Sequence, residues 1–174
     1  MGKITFILGG ARSGKSTYAL SLAKKYKNVA FVATAEGLDK EMEKRIAIHK
    51  KSRPSHWQTF EETKDVSALF KRITPKLDLI IVDCLTLFVC NLFLANTREK
   101  DIENQVRSIL KIVGKNRSDC VFVSNEVGLG IVPQNKLARD FRDIAGRVNQ
   151  IVAKEASEAY FMVSGIPLKM LGGD

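Results

Sequence analysis

The sequence predicts an α/β fold of three layers, in which helices cover a mainly parallel central sheet. Short apolar runs with strand character alternate with helical patterns along the chain, and this alternation is typical of parallel sheets. The run Leu77–Val82 is apolar almost throughout, as a central strand covered on both faces would be. No convincing linker or repeat divides the chain, so we expect a single domain over residues 1–174.

Six strands are predicted, at Ile4–Leu8, Val29–Ala33, Trp57–Phe60, Leu77–Val82, Val121–Ser124 and Ala159–Val163, of which the third is the weakest. Four helices are predicted between them, at Ser16–Lys25, Asp39–Lys51, Asp101–Lys115 and Asn135–Ala156. The second helix is expected to end before Pro54, because proline disfavours helical backbone in the residue that precedes it. The third and fourth helices repeat apolar residues three and four positions apart. This spacing favours a side packed in the core, and it could also serve a subunit interface.

The composition is typical of a soluble globular protein, with 45% apolar and 27% charged residues. No run reaches the ~18–20 apolar residues of a membrane-spanning helix, and the N-terminus lacks the features of a secretory signal, so we expect a cytoplasmic protein. Cys84, Cys90 and Cys120 are an odd number without a C-x-x-C pair. This pattern favours reduced thiols over a disulfide framework or a zinc site.

The net charge is +9, from 28 Lys and Arg against 19 Asp and Glu. Such a charge is compatible with nucleic-acid binding. The basic residues are nevertheless scattered along the predicted helices, without a basic tail, a zinc finger or a ribbon of aromatic residues. A polyanionic small substrate explains the charge at least as well, and we expect no nucleic-acid partner.

A complete phosphate-binding motif runs from Gly9 to Ser16, with the sequence Gly-Gly-Ala-Arg-Ser-Gly-Lys-Ser. It fits G-x-x-x-x-G-K-[ST] and lies between a predicted strand and a predicted helix, the context in which this motif binds phosphates. Its glycines allow a tight turn that aims backbone N–H groups at phosphate oxygens. The following helix adds the positive end of its dipole. Lys15 is expected to reach the β- and γ-phosphates, and the Ser16 hydroxyl to bind Mg²⁺.

A second element of a nucleotide site follows the central strand. Asp83 ends the apolar run Leu79–Val82, and an acid in this position of P-loop proteins holds the magnesium ion directly or through water. The alternative is an aspartate that merely caps the next helix. Together with the phosphate loop, this acid predicts a P-loop NTPase-like (RecA-like) fold.

Further motifs follow the phosphate loop in a specific order: Ala33-Thr-Ala-Glu36, Arg45-Ile46 with His49, Arg53-Pro54, His56-Trp57, Val82-Asp-Cys-Leu-Thr-Leu87 and Val123-Ser-Asn-Glu-Val-Gly-Leu-Gly-Ile-Val-Pro133. Through them the chain closely resembles, over nearly its whole length, the bifunctional adenosylcobinamide kinase / adenosylcobinamide-phosphate guanylyltransferases of coenzyme B12 biosynthesis. The resemblance implies transfer of the γ-phosphate of ATP or GTP to the aminopropanol hydroxyl of adenosylcobinamide. It then implies transfer of GMP from GTP to that phosphate through a covalent histidine, with release of pyrophosphate. The trimeric habit of the family implies a homo-oligomer.

The chain has two histidines, His49 and His56, as candidates for that intermediate. Neutral imidazole presents a nucleophilic lone pair near pH 7, because its free pKa is about 6.5. His49 shares a predicted helix face with Met42 and Ile46, and this stripe alone favours a histidine packed in the core. The resemblance instead favours His49 as the GMP carrier, with His56 as the reserve candidate.

The resemblance assigns further residues to the nucleotide. These are Thr34, Ala35, Glu36, Lys50, Lys51, Ser52, Arg53 and Glu61, and they join the residues that the motif assigns, which are Gly9, Gly10, Ala11, Arg12, Ser13, Gly14, Lys15, Ser16 and Asp83. Arg12 is expected to help neutralise the transferring charge, and Asn125 and Glu126 to line the corrinoid or phosphate pocket. Arg12, Asn125, Glu126 and the residues outside the loop other than Asp83 are also compatible with solvated surface groups, most of all Lys50 and Lys51.

Two other classes of protein remain compatible with a phosphate loop. A kinase of nucleoside monophosphates or of another coenzyme precursor usually has an arginine-rich lid, but residues 95–107 carry only Arg98 and Arg107. ATP turnover with nucleoside monophosphates, and none with cobinamide, would favour this class. A nucleotide-dependent switch or nucleic-acid-binding ATPase would instead bind DNA or RNA with a steep dependence on salt.

Overall fold

A seven-stranded sheet forms the centre of the computed structural model, which describes residues 2–37, 40–51, 53–73 and 76–173. The strands are β1 (Ile4–Gly9), β2 (Val29–Ala33), β3 (Gln58–Glu61), β4 (Leu79–Asp83), β5 (Asp119–Asn125), β6 (Glu158–Val163) and β7 (Ile166–Leu171). Their order across the sheet is β3-β2-β4-β5-β1-β6-β7. All neighbours pair in parallel except β6 and β7, which form an antiparallel hairpin. The predicted mainly parallel sheet is therefore confirmed.

Helices cover both faces of this sheet. They are α1 (Lys15–Ala23), α2 (Lys40–Lys51), α3 (Val66–Ile73), α4 (Leu85–Leu94), α5 (Glu99–Lys115) and α6 (Lys136–Glu155). Successive strand residues point to opposite sides, so Ile7 and Phe31 pack in a cluster with α1, whereas Phe6, Ile80 and Phe122 pack with α3 to α6. None of these described helices combines the length and the apolar content needed to cross a membrane.

The apolar patterns of the sequence correspond to the core. In β4, Leu79–Val82 are all buried, as predicted for a central strand. The α5 stripe is buried at Ile102, Val106 and Ile109, and burial of side chains of this size contributes ~1.5–3 kcal/mol each. The stripe of α6 is buried from Ile144 onwards. The amphipathic helices therefore hold the sheet from one side along most of their length.

Three elements were not predicted from the sequence. Helix α3 escaped prediction because it is short. Its apolar residues Val66, Leu69, Phe70 and Ile73 do repeat at helical spacing, and they are buried. Helix α4 is apolar nearly all round and has no polar face from which a helical period could be recognised. Every residue of β7 is exposed, so the alternation of buried and exposed residues is missing. Of the predicted helices, α1 ends at Ala23 rather than Lys25, and Asp39, where the second was expected to begin, lies outside the described residues.

Candidate active site at the carboxyl edge of the sheet

The phosphate loop connects β1 to α1, as the motif requires. Gly14 is the N-cap of α1 and has a φ of 94°, a backbone conformation that side chains other than glycine rarely adopt. A Cβ at this position would lie 3.1 Å from Gly165 Cα. The loop therefore needs glycine at position 14 both for its turn and for its close approach to a neighbouring segment.

Two neighbouring segments hold the loop through backbone hydrogen bonds. The Glu126 N–H, just after β5, donates to the Gly9 carbonyl at 3.0 Å. On the other side, the Gly165 N–H donates to the Ser13 carbonyl at 3.0 Å. Ser164 and Gly165 form the turn between β6 and β7 and both have positive φ, 51° and 85°, as the favoured two-residue hairpin turns require. This turn was not predicted, although Ser-Gly between two apolar runs is a turn signal in the sequence.

The Lys15 side chain is buried within the loop. Its Nζ donates to the Gly10 carbonyl at 2.6 Å, and only 7% of the residue is exposed. Burial lowers the pKa of Lys15, and the negative charge of Asp83 opposes that shift. The ammonium group thus lies inside the phosphate cradle and within electrostatic reach of the acid at the end of β4.

Asp83 lies half-buried at the carboxyl end of β4. Its Oδ2 is buried and has no hydrogen-bond partner among the residues that the structure describes. A buried carboxylate oxygen without a partner calls for a cation, and Mg²⁺ needs only one or two protein oxygens beside phosphates and water. Ser16, half-buried in the first turn of α1, can supply the second oxygen. The residues present fit a magnesium ion.

A buried threonine joins the ends of β2 and β4. The Thr34 hydroxyl donates to the Cys84 carbonyl at 2.6 Å and accepts from the Cys84 N–H at 2.9 Å. Asn91 Nδ2 donates to the Thr34 carbonyl at 2.7 Å. Because Cys84 directly follows Asp83, these bonds position the acid. The Thr34 hydroxyl is thus engaged within the protein, and the predicted role of Thr34 at the nucleotide stays a prediction.

Arg53 brings a second positive charge to the Asp83 edge. Its guanidinium stacks on the Phe31 ring, 3.9 Å from the ring centroid. Burial lowers the pKa of Arg53, and the charges of Asp83 and Glu61 oppose the shift. Its Nε is buried without a hydrogen-bond partner in the described part of the chain. Arg53 therefore has unused donor capacity beside the acid, which suits an anionic ligand.

The remaining predicted residues form a more exposed rim. Lys50 Nζ and Glu61 Oε1 pair at 2.8 Å, and this hydrogen bond lowers the pKa of Glu61. Glu36 is half-buried, 3.6 Å from Lys64 Nζ. Lys51 and Arg12 are exposed, Ala35 is half-buried, and Ser52 lies outside the described residues.

The two histidines both lie on the surface. His49 is exposed on the last turn of α2, and its stripe neighbours Met42 and Ile46 are only half-buried. His49 is thus not the core histidine that the stripe alone would favour. His56 is also exposed, with its ring centroid 6.4 Å from that of Trp57.

A buried polar network supports the end of β5. Thr86 Oγ1 lies 3.0 Å from Ser124 Oγ, which donates to Asn149 Oδ1 at 2.7 Å. Thr86 Oγ1 also accepts from the Asn125 N–H at 2.6 Å, and Asn149 Nδ2 donates to the Asn125 carbonyl at 3.3 Å. The network fixes the backbone directly before Glu126, the residue that bonds to the phosphate loop. The network could not be predicted from the sequence, because single polar residues in three separate elements give no indication of their partners.

Comparisons with known proteins give the family and the fold of the chain. Residues 5–170 match the family described as cobinamide kinase / cobinamide phosphate guanyltransferase. The chain is 40% identical to the bifunctional adenosylcobalamin biosynthesis protein CobU of Salmonella typhimurium, covering 94% of this chain and 97% of that protein. It is 38% identical to the corresponding protein CobP of Pseudomonas aeruginosa, over 95% and 96% of the two chains. The RadB recombinase structure superposes with a TM-score of 0.53 at 19% identity, covering 92% of this chain and 74% of the recombinase, which shows the RecA-like fold. The chain therefore belongs to the cobinamide kinase / cobinamide phosphate guanyltransferase family.

Proposed function

We propose that this chain phosphorylates the aminopropanol hydroxyl of adenosylcobinamide and then transfers GMP from GTP to the new phosphate. As a member of its family it is a bifunctional kinase and guanylyltransferase of adenosylcobalamin biosynthesis. The observation that carries the proposal is the joint placement, at one edge of the sheet, of a complete phosphate loop, the buried Lys15 and the buried Asp83 Oδ2, which has no hydrogen-bond partner among the described residues.

In the kinase step, the acceptor hydroxyl oxygen attacks the γ-phosphorus of ATP or GTP. The bond from that phosphorus to the β–γ bridging oxygen breaks, the nucleoside diphosphate leaves, and the hydroxyl proton passes to solvent or a nearby base. Lys15 and the N-terminus of α1 stabilise the negative charge on the phosphates. Ser16 and Asp83 would hold Mg²⁺, which when bound neutralises phosphate charge.

In the guanylyl step, an imidazole nitrogen of His49 attacks the α-phosphorus of GTP, and pyrophosphate leaves as the α–β bridging bond breaks. A phosphate oxygen of adenosylcobinamide phosphate then attacks the same phosphorus, the P–N bond breaks, and the imidazole is regenerated. The exposure of His49 supports this role, because a carrier has to be reached first by GTP and then by a bulky acceptor.

Charged residues near Asp83 are proposed to bind the nucleotide. Arg53 Nε has no hydrogen-bond partner among the described residues, and Lys50 and Glu61 pair beside it. We extend this role to Lys51, Ser52 and Arg12 and to the backbone of Thr34, Ala35 and Glu36. Glu36 follows β2 and Asp83 ends β4, two neighbouring parallel strands, and α/β folds bind ligands at the carboxyl ends of such strands.

The proposal also includes the partners of the chain. We propose a homo-oligomer in the cytoplasm without a nucleic-acid partner. The edge strand β7 supports the oligomer, because all of its residues are exposed and its outer backbone edge is open to pairing with another chain. Sedimentation of the purified protein measures this directly, and a monomer at micromolar concentration would contradict it.

The proposed function is tested by incubating the purified protein with adenosylcobinamide, Mg²⁺ and ATP or GTP, followed by chromatography and mass spectrometry. We expect adenosylcobinamide phosphate with ATP, and adenosyl-GDP-cobinamide with pyrophosphate when GTP is present. Nucleoside monophosphates serve as alternative acceptors. Turnover of these acceptors, with no corrinoid product, would contradict the proposal and favour a different small-molecule kinase.

A further inference from the structure

A loop beside the phosphate cradle exposes an unusual number of apolar side chains. It comprises residues 127–132, between β5 and α6, and we call it the apolar loop. Leu129 is 79% exposed, Ile131 97% and Val132 59%. Single exposed apolar residues are normal on protein surfaces, whereas several in succession mark a binding surface.

The apolar loop is anchored at both ends. At its start, the Glu126 N–H donates to the Gly9 carbonyl, and Glu126 Oε1 accepts from the Gly128 N–H at 2.5 Å. At its end, Arg139 Nη1 donates to the carbonyls of Pro133, at 2.9 Å, and Gln134, at 2.5 Å. The loop is thus held in place while its large side chains face solvent, which lowers the ordering cost of binding a ligand there.

The position of the apolar loop relates it to the transferred phosphate. Strand β5 lies between β4 and β1, with Val123 opposite Asp83 and Asn125 opposite Gly9. The chain therefore leaves the sheet between the acid and the phosphate loop. An acceptor has to bring its oxygen to about 3–3.5 Å from the phosphorus. The rest of the acceptor molecule therefore has to bind to a surface next to the space between Asp83 and the phosphate loop.

A second exposed apolar surface, on β7, has a different character. Ile166, Leu168 and Met170 are exposed there, but they belong to an edge strand with an open backbone edge, which suits pairing with another chain. The apolar loop has no strand edge to offer. It has large apolar side chains close to the polar groups of Asn125 and Glu126, and this combination suits an amphipathic small molecule.

We propose that the apolar loop binds the corrinoid acceptor, with Leu129 and Ile131 packing against methyl groups at the periphery of the macrocycle. The inference rests on the proposed function, since only a corrinoid substrate gives the loop this occupant. The apolar loop then determines the affinity for the acceptor, whereas the phosphate loop and His49 bind and react with the nucleotide.

The test compares wild type with Leu129→Ser/Ile131→Ser in equilibrium dialysis against adenosylcobinamide, detected by its visible absorbance, and in the kinase reaction. Both side chains are exposed, so we expect the variant to fold. We expect its Kd and KM for adenosylcobinamide to rise at least about tenfold, because two apolar contacts are lost. The KM for nucleotide, and the labelling of the protein by GTP without acceptor, should stay unchanged.

Two matched variants complete the test. Leu168→Ser/Met170→Ser removes exposed apolar side chains from β7 and should leave adenosylcobinamide binding unchanged. Leu129→Met/Ile131→Val keeps the apolar loop apolar and should bind adenosylcobinamide as wild type does. A Kd of the loop variant within twofold of wild type overturns the inference, and a simultaneous change in oligomeric mass would make the loop a contact between chains. If wild type neither binds nor phosphorylates adenosylcobinamide, the proposed function itself has failed.

Discussion

In the proposed enzyme the phosphate loop binds the nucleotide phosphates and helix α2 bears the histidine carrier. The two segments differ in their packing. The loop is bonded to neighbouring segments at Gly9 and Ser13, and its Lys15 is buried. Every described side chain of α2, His49 included, is exposed or half-buried. A cradle shared by two reactions benefits from being fixed in advance. A carrier that exchanges partners benefits from being accessible, so the contrast matches the two proposed roles.

The largest effect should follow loss of the shared cradle. Lys15→Ala removes the buried ammonium group beside Gly10 and Asp83, so we expect both the kinase and the guanylyltransferase rates to fall at least about a hundredfold. Steady-state assays with adenosylcobinamide and with its phosphate measure the two rates. Lys24→Ala, an exposed lysine just after α1, is the control. Loss of only one rate in Lys15→Ala would contradict a shared cradle.

A selective effect should follow loss of the carrier. His49→Ala should abolish guanylyl transfer and leave the kinase rate within about threefold of wild type, because the histidine is not part of the phosphate loop. The same two assays measure this, with His56→Ala as the matched exposed histidine. Equal loss of both rates in His49→Ala would argue that α2 supports the whole site and does not act as a separate carrier.

A smaller effect, on stability as well as activity, is expected where the cradle meets the β6–β7 turn. Gly14→Ala combines a φ of 94° with a Cβ 3.1 Å from Gly165 Cα, so we expect a loss of about 1–3 kcal/mol in the free energy of unfolding and slower rates for both reactions. Gly146→Ala in α6 meets no atom within 4 Å and should be neutral or stabilising. Denaturant unfolding compares the two variants, and a Gly14→Ala protein as stable as wild type would show that the turn does not constrain the loop.

The smallest effect is expected at the exposed ion pair between Lys50 and Glu61. Glu61→Gln breaks the ion pair with Lys50. The side chain of Glu61 is 57% exposed and that of Lys50 is 60% exposed, so the free energy of unfolding should change by about 0.5 kcal/mol or less. Because the hydrogen bond from Lys50 lowers the pKa of Glu61 in the folded state, this contribution is present above the ordinary glutamate value of about 4.3 and is lost as the pH falls below it. Unfolding at pH 7 and pH 3 tests the sign. A larger difference between variant and wild type at pH 3 than at pH 7 would contradict it.

The same contrast explains what the sequence could predict. The phosphate loop is a local motif whose residues act within eight positions, so its context of strand, loop and helix was predictable. The α5 stripe was predictable because burial of one helix face leaves a helical period in the sequence, and strand β4 because a short strand buried on both faces leaves a continuous apolar run. Helix α4 has no such period, since it is buried almost all round. Strand β7 has none either, since it is exposed throughout.

The contacts that connect distant segments could not be predicted. The Gly165–Ser13 bond, the Thr34–Cys84 bonds and the Thr86–Ser124–Asn149 network each join residues at least 25 positions apart. No local pattern encodes such partners. Thr34 illustrates the consequence, because the family resemblance predicts only a role at the nucleotide, while the structure shows that its hydroxyl is bound to the backbone after Asp83.

The central claim is that the rigid phosphate loop, Gly9–Ser16, binds GTP while the separate His49 carries the GMP. Labelling of the protein tests this claim most directly. Wild type, His49→Ala and His56→Ala are incubated with GTP radiolabelled at the α-phosphate and Mg²⁺, without acceptor, and separated on denaturing gels. We predict acid-labile, alkali-stable label on wild type and His56→Ala and none on His49→Ala, as a phosphoramidate at His49 requires. Label retained by His49→Ala, or no label on wild type, would contradict the claim.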